Sequence, residues 1–343
     1  MRADVDGLEP PAAGNGGQDH AAHIRPASTA RQARESRRSS GLAAALCLAL
    51  AYLALLPVGA SAHGRPVILD TDIHADVDDG AALSMLHNLQ DRGRVKLLAV
   101  MVSTPGRWGG PCVDAINTWH GRPNVLVGTL KPNDDSLAWK DYCNAVAHEF
   151  PNDLRDSVRA PDAERLYRRV LRRQPDHSVT VVSIGFLTNL RNLLGTRQGR
   201  RLARDKIRRL VVMGGTYPAG SEYNFAQAPR AAATVARRWP GPVVFSGFEL
   251  GLNIKTQPQP DGGPLERAYE LGLAEGGTRS SWDQTAVLYA AYPFLFRTVA
   301  GANRVDPATG RNRWQPGRGS QRFLRLRVDR PVVAGLIQTL MQG

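Results

Sequence analysis

Six short runs that are apolar at nearly every position constrain what this chain can fold into: residues 66–70 (PVILD), 95–102 (VKLLAVMV), 125–127, 179–184 (VTVVSI), 207–213 (IRRLVVM) and 243–245. A strand with one wet face alternates apolar and polar side chains, whereas a strand apolar throughout is covered on both faces. The stretches between the runs, near 79–91, 110–120, 162–173, 187–194, 229–238 and 264–274, carry helical periodicity. Strands joined by helical crossovers pair in parallel, because a tight hairpin cannot connect parallel neighbours. The sequence therefore predicts an α/β fold with a mostly parallel, doubly wound sheet, built as a single domain over residues 63–343. Residues 301–320 read as a polar loop, residues 323–328 as a late edge strand and residues 332–342 as a closing helix.

The first 62 residues read differently. Residues 1–40 mix Gly, Pro, Ala, Ser and His without an apolar period, as a disordered leader does. Residues 41–58 (GLAAALCLALAYLALLPV) are apolar, follow Arg37-Arg38 and run into Ala60-Ser61-Ala62, a small-x-small cleavage pattern. The run is interrupted by Pro57 and is short for a span of ~20 residues. It is expected to be a signal peptide cut after Ala62, leaving no stable membrane anchor and a secreted or periplasmic product. Removal of Cys47 leaves Cys112 and Cys143 in an oxidising compartment, either as one disulfide or as two buried thiols.

Charge excludes less than it suggests. The chain carries 44 Lys+Arg against 31 Asp+Glu, yet only five are lysines and no binding motif accompanies the charge, so no nucleic-acid partner is expected. The sequence leaves open whether the chain is a monomer or a homo-oligomer.

In open α/β sheets ligands bind beyond the carboxyl ends of the strands. Directly after the first run stands Asp70-Thr71-Asp72-Ile73-His74-Ala75-Asp76-Val77-Asp78-Asp79, five carboxylates within ten residues. Carboxylates this close repel one another unless a cation sits among them, and an oxygen-rich set suits Ca²⁺ or Mg²⁺ better than zinc. Helix capping by Asp accounts for Asp78 and Asp79 but not for Asp70, Asp72 and Asp76. A phosphotransferase that uses the first Asp of an Asp-x-Asp pair as nucleophile fits less well, because His74 occupies its Thr or Val position and the following Asp-Asp pair is foreign to it.

The cluster resembles the Asp-x-Asp…Asp-Asp signature of nucleoside hydrolases, with two extra residues between the pairs. Ile184-Gly185-Phe186-Leu187-Thr188-Asn189-Leu190 is similar to the family's Gly-Pro-Leu-Thr-Asn-Leu segment. Val212-Met213-Gly214-Gly215 followed by Glu222-Tyr223-Asn224 is similar to its Met-Gly-Gly and Glu-Phe-Asn elements, and Trp282-Asp283-Gln284-Thr285-Ala286 to its His-Asp-x-x-Ala segment. The similarity runs from about residue 65 to about residue 292. It implies a calcium-dependent hydrolase of ribonucleosides or related N-ribosides, in which Asp72 is general base and ligand. Asp78, Asp79, Asp283 and the Thr188 carbonyl would complete the metal site, and Asp78, Glu222 and Asn224 would hold the ribose.

Three departures bear on the leaving group. Trp282 stands where many members have a His acid, Ala228-Pro229 replaces an Asp-Pro, and Thr104-Pro105-Gly106 replaces a Gly-Asn. An indole N–H donates a hydrogen bond but is no general acid near neutral pH, so Trp282 would stack on the base or pack. Poor leaving groups such as purines are then expected to depart slowly. His74, inside the acidic loop, is the alternative proton donor and substrate contact, with Tyr223, Arg107 and Trp108 behind it. His87, His120, His148 and His177 belong to no constellation. The alternative reading is a calcium-dependent sugar- or nucleoside-binding protein that has lost turnover.

Sequencing the N-terminus of the protein recovered from medium or periplasm is expected to begin at His63. A membrane-retained product starting before Gly41 would contradict the signal-peptide reading.

Overall fold

The computed structural model describes residues 64–74, 76–133, 142–274 and 276–342, all within one unit. Residues 1–62, where the sequence predicts a leader and signal peptide, lie outside the described residues. Among those described, no helix is long and apolar enough to cross a membrane.

β1 (Arg65–Thr71) is followed by α1 (Asp78–Asp91), β2 (Val95–Val102), α2 (Gly109–Trp119) and β3 (Leu126–Thr129). α3 (Tyr142–Glu149) and α4 (Ala163–Arg172) lead to β4 (Val179–Ser183), and α5 (Thr188–Gly195) and α6 (Arg197–Lys206) to β5 (Ile207–Met213). β6 (Ala219–Gly220), α7 (Tyr223–Gln227) and α8 (Pro229–Arg238) precede β7 (Val243–Ser246). Next come α9 (Phe248–Gly251), β8 (Lys255–Thr256), α10 (Pro264–Gly272), β9 (Arg279–Ser280) and α11 (Trp282–Ala291). β10 (Phe296–Val305), β11 (Asn312–Pro316), β12 (Gln321–Leu326) and α12 (Arg330–Gln342) close the chain. Local chemistry marks several starts: Pro229 opens α8 with its fixed φ, and the Asp162 carboxylate caps α4 by accepting from Arg165 N.

The sheet order is β3-β2-β1-β4-β5-β7-β12-β10-β11-β6, parallel from β3 to β12 and antiparallel beyond. The order reverses at β1, which pairs with β2 on one side and β4 on the other. Successive residues of β1 face opposite cores. Leu69 packs with Leu83, Leu86 and Val287 on one side, and Ile68 with Met101, Tyr167 and Leu190 on the other. That double coverage is why the parallel strands read as unbroken apolar runs.

The C-terminal part corrects the sequence reading. Residues 301–320 are not a loop but contain the β10–β11 hairpin, and the predicted edge strand is β12, held between β7 and β10. The hairpin lacks an apolar period because its inward positions are Gly301, Asn303, Asn312 and Trp314, two of them amides: Asn303 Nδ2 donates to the Tyr217 hydroxyl at 2.9 Å, and Asn312 Oδ1 accepts from Thr216 N at 2.9 Å. Side-chain hydrogen bonds let these buried amides do what apolar contact does elsewhere. Cys112 in α2 and Cys143 in α3 are both buried.

His87, also in the core, is a neutral imidazole. Its Nε2 meets Asn117 Oδ1 at 2.8 Å and its ring stacks on His120 at 4.7 Å. Burial, then the neighbouring His120, push its pKa down to about 3. A His whose folded pKa lies below its unfolded value contributes stability that is complete above about pH 6.5 and is lost as pH falls toward the folded value. Denaturant titrations at pH 7 and pH 4 should show the loss, on the order of 3 kcal/mol from this group. His87→Gln should flatten the acid dependence.

Candidate active site

The carboxyl ends of the parallel strands and the helix starts beside them wall a cavity of about 450 Å³. The β1–α1 loop contributes Asp72, His74 and Asp76, and the first turn of α1 contributes Asp78 and Asp79. Ile184 and Phe186 follow β4, Met213 ends β5, and Glu222, Tyr223 and Asn224 come from the start of α7. Phe248 opens α9, while Trp282 and Asp283 open α11. Residues separated by more than 200 positions meet here because both α1 and α11 start at the same end of the sheet.

Carboxylate oxygens of Asp78, Asp79 and Asp283 lie within 4.8 Å of one another, all three buried. The N-cap of α1 is Val77, which makes no side-chain bond, so Asp78 and Asp79 project into the cavity instead of capping their helix. Asp79 accepts from the Thr71 hydroxyl, and Asp78 Oδ2 accepts from Asp283 N at 3.4 Å. Burial first, with mutual repulsion adding to it, holds Asp72, Asp78, Asp79 and Asp283 well above the usual carboxylate range. Buried hard oxygens in this number fit a divalent cation.

Asp72 is placed by backbone. A Cβ on Gly185 would sit 2.3 Å from Asp72 N and 2.6 Å from Asp72 Oδ1, so any side chain there would displace the carboxylate. Asp70 belongs to the interior and not to the cavity: its carboxylate accepts from the Tyr167 hydroxyl at 2.7 Å and from Asn189 Nδ2 at 3.3 Å. Burial raises it to about 7. Asp76 is engaged by the Arg279 guanidinium, whose Nε donates at 2.8 Å.

The remaining sequence candidates divide. Glu222 lines the cavity while its oxygens accept from Gly215 N (3.0 Å), Asn224 N (2.8 Å) and Phe225 N (3.2 Å), which locks its orientation. Asn224 Nδ2 donates to Ile184 O at 2.9 Å. Trp282 lines the wall, its Nε1 donating to Phe248 O at 2.9 Å and its ring stacked on Phe248 at 5.2 Å, so the indole N–H is already committed to the protein. His74 is buried on the wall and Tyr223 is half-exposed at it. Thr188 lines a surface depression with Arg191 and Arg230, while Ile184 and Phe186 of the same segment line the cavity. Arg107, paired with Asp156, and Trp108 are also absent from the wall.

Several wall residues escaped the sequence reading, Phe248, Gln227, Thr104 and Arg279 among them. Thr104 brings a buried hydroxyl that has no partner among the described residues; it was visible only as a departure from the family pattern. Arg279 carried no motif at all.

Comparison with known proteins places these features in a lineage. A sequence model of the inosine-uridine preferring nucleoside hydrolase family matches residues 67–309. Among solved structures, a plant nucleoside hydrolase matches at 18% identity and a TM-score of 0.63, covering 81% of this chain and 99% of that one. A purine-preferring ribonucleoside hydrolase from Gardnerella vaginalis matches at 20% and 0.63, with the same coverage. An inosine-uridine preferring nucleoside hydrolase from Bacillus anthracis matches at 18% and 0.61, again over 81% and 99%. Comparison with curated proteins finds no match.

The charge cluster makes a stability prediction. A carboxyl group whose folded pKa lies above its unfolded value contributes stability that is lost as pH rises from the ordinary carboxylate range upward. Without divalent ions, melting should therefore fall between pH 5 and pH 8, and added Ca²⁺ should raise it most at pH 8. An ion bound only by the folded state adds ~2.7 kcal/mol at a hundredfold excess over its Kd. Asp79→Ala and Asp283→Ala should lose most of that shift; an equal shift in all three proteins would show that these residues do not hold the ion.

Proposed function

This chain belongs to the inosine-uridine preferring nucleoside hydrolase family, and on that footing we propose that it is an exported, calcium-dependent enzyme cleaving the N-glycosidic bond of ribonucleosides or related N-ribosides. The observation that carries the reading is the convergence of Asp78, Asp79 and Asp283 beside Asp72 on the wall of one cavity. Asp72, Asp78, Asp79 and Asp283 would hold the ion. The resemblance adds the Thr188 carbonyl to that set, and Ile184 and Phe186 share the cavity from the β4 end.

Bound calcium supplies positive charge that orients sugar hydroxyls and acidifies a water. The protein's own groups do the rest. Asp72 takes the proton of the attacking water. Glu222, held by three backbone N–H groups, and Asn224, held by the Ile184 carbonyl, present a fixed polar edge to the ribose. Asp78 faces the sugar hydroxyls from the first turn of α1. Cleavage passes through a sugar cation, and the surrounding carboxylates favour that positive charge electrostatically. Trp282 offers the aglycone no proton, because its N–H is bonded to Phe248 O. The apolar run of residues 41–58 and the Ala60-Ser61-Ala62 pattern support a location outside the cytoplasm.

Ribose release from p-nitrophenyl riboside and inosine, measured with Ca²⁺, tests the proposal. Both should be hydrolysed, and Asp72→Asn should lower kcat on each by about 10²–10⁴. Saturable nucleoside binding without any release of ribose would replace the enzyme with the binding protein.

A further inference from the structure

The two extra residues of the acidic loop have a structural correlate at the cavity. They lengthen the stretch that contains Asp76, and Asp76 is the residue that grips Arg279 of β9. Arg279 Nε donates to Asp76 Oδ1 at 2.8 Å and its Nη2 to Asp76 Oδ2, a two-pronged pair. The guanidinium carbon lies 4.8 Å from the centre of the Trp282 ring, which is itself stacked on Phe248. Asp76, Arg279, Trp282 and Phe248 all line the cavity, and Arg279 is the one Arg or Lys on its wall among the described residues.

Folding does not account for this arrangement. The Arg279 and Asp76 side chains are 34% and 39% exposed, and an ion pair so accessible contributes little to stability. The pair does fix a planar donor. With Nε and Nη2 engaged and one face against an indole, the guanidinium loses most of its freedom. Its third nitrogen, Nη1, donates to no group among the described residues. Trp282, adjacent in sequence to Asp283, and Arg279 line the same cavity as the carboxylates that would hold ion and ribose. A riboside whose sugar lies on those carboxylates carries its aglycone toward the aromatic and cationic side.

We propose that Arg279, positioned by Asp76 and Trp282, stabilises the negative charge that develops on the departing aglycone, in place of a proton-donating His. The inference rests on the hydrolase reading. As the C1′–N bond breaks, its electron pair moves onto the heterocycle. Water oxygen forms the new bond to C1′ and gives its proton to Asp72. The aglycone leaves as an anion hydrogen-bonded to Arg279, which keeps all its protons, and is protonated by solvent after release; Asp72 returns its proton to solvent. A fixed cation is effective here because the charge appears only in the transition state. The substrates favoured are ribosides of heterocycles whose anions are delocalised onto ring nitrogens or carbonyl oxygens within reach of a guanidinium.

A leaving-group series tests this: p-nitrophenyl riboside, a less activated phenyl riboside, uridine and inosine, each with Ca²⁺. For Arg279→Gln, log kcat/KM should fall more steeply with leaving-group pKa than in the wild type. The loss should reach about 10²–10³-fold on the nucleosides and be smaller on the p-nitrophenyl compound. Arg279→Lys should lie between, because it keeps the charge and loses the fork. Asp76→Asn should steepen the slope in the same sense and Asp76→Glu recover it, which a purely structural role for Asp76 would not produce. In Arg279→Ala, added guanidinium should restore nucleoside cleavage preferentially. An equal loss on every substrate, or none, overturns the role of Arg279 while leaving the hydrolase reading intact. A wild-type chain that cleaves no member of the series overturns the hydrolase reading itself, and this proposal with it.

Discussion

Repulsion among buried carboxylates is the constraint on which the site depends. Asp72, Asp78, Asp79 and Asp283 are gathered where burial first, and neighbouring carboxylates after it, push each above the usual carboxylate range. A fold tolerates such a cluster when something else gains from it, since uncompensated buried charge is expensive. The surroundings are built to keep the cluster in place: Gly185 leaves room for Asp72, the Thr71 hydroxyl bonds Asp79, and α11 is anchored so that Asp283 N meets Asp78. A cation resolves the conflict, and the same charges then suit a reaction that generates a sugar cation.

The sheet explains how such a cluster is assembled. Parallel strands buried on both faces all end at one edge, and the helices that follow them begin there. The reversal of strand order at β1 leaves a crevice between the flanking connections, which is where the first acidic loop sits. The antiparallel extension of β10, β11 and β6 obeys different physics. Its interior is held by Asn303, Asn312 and Tyr217 through side-chain hydrogen bonds, and by the stacking of Tyr217 on Phe323 at 4.9 Å.

At the other side of the cavity, Trp282 acts as a wall. With its N–H bonded to Phe248 O, its remaining assets are its ring faces, and Phe248 and Arg279 both lie against that ring. Proton donation and charge stabilisation are alternative ways to ease a poor leaving group away. A guanidinium does the second without titrating near neutral pH.

Much of this was legible in the chain itself. The parallel strands announced themselves because apolar burial on two faces leaves no polar positions, and 95–102 and 207–213 match β2 and β5 residue for residue. The acidic loop was legible because five carboxylates in ten residues have no ordinary structural use, and the order of four short segments identified the family. Other features depended on contacts across the fold. The β10–β11 hairpin was invisible because polar side chains satisfied in the interior look like surface ones in a sequence. Nothing local separates Asp70, held by Tyr167 and Asn189, from Asp72 two positions on, which faces the cavity. Nor could the sequence place Ile184 and Phe186 on the wall, since that follows from where β4 ends and α5 turns away. The pairing of Asp76 with Arg279 spans 203 positions. Sequence fixes residue chemistry and local periodicity; which charges become neighbours depends on the packing of distant elements, and only the tertiary structure decides it.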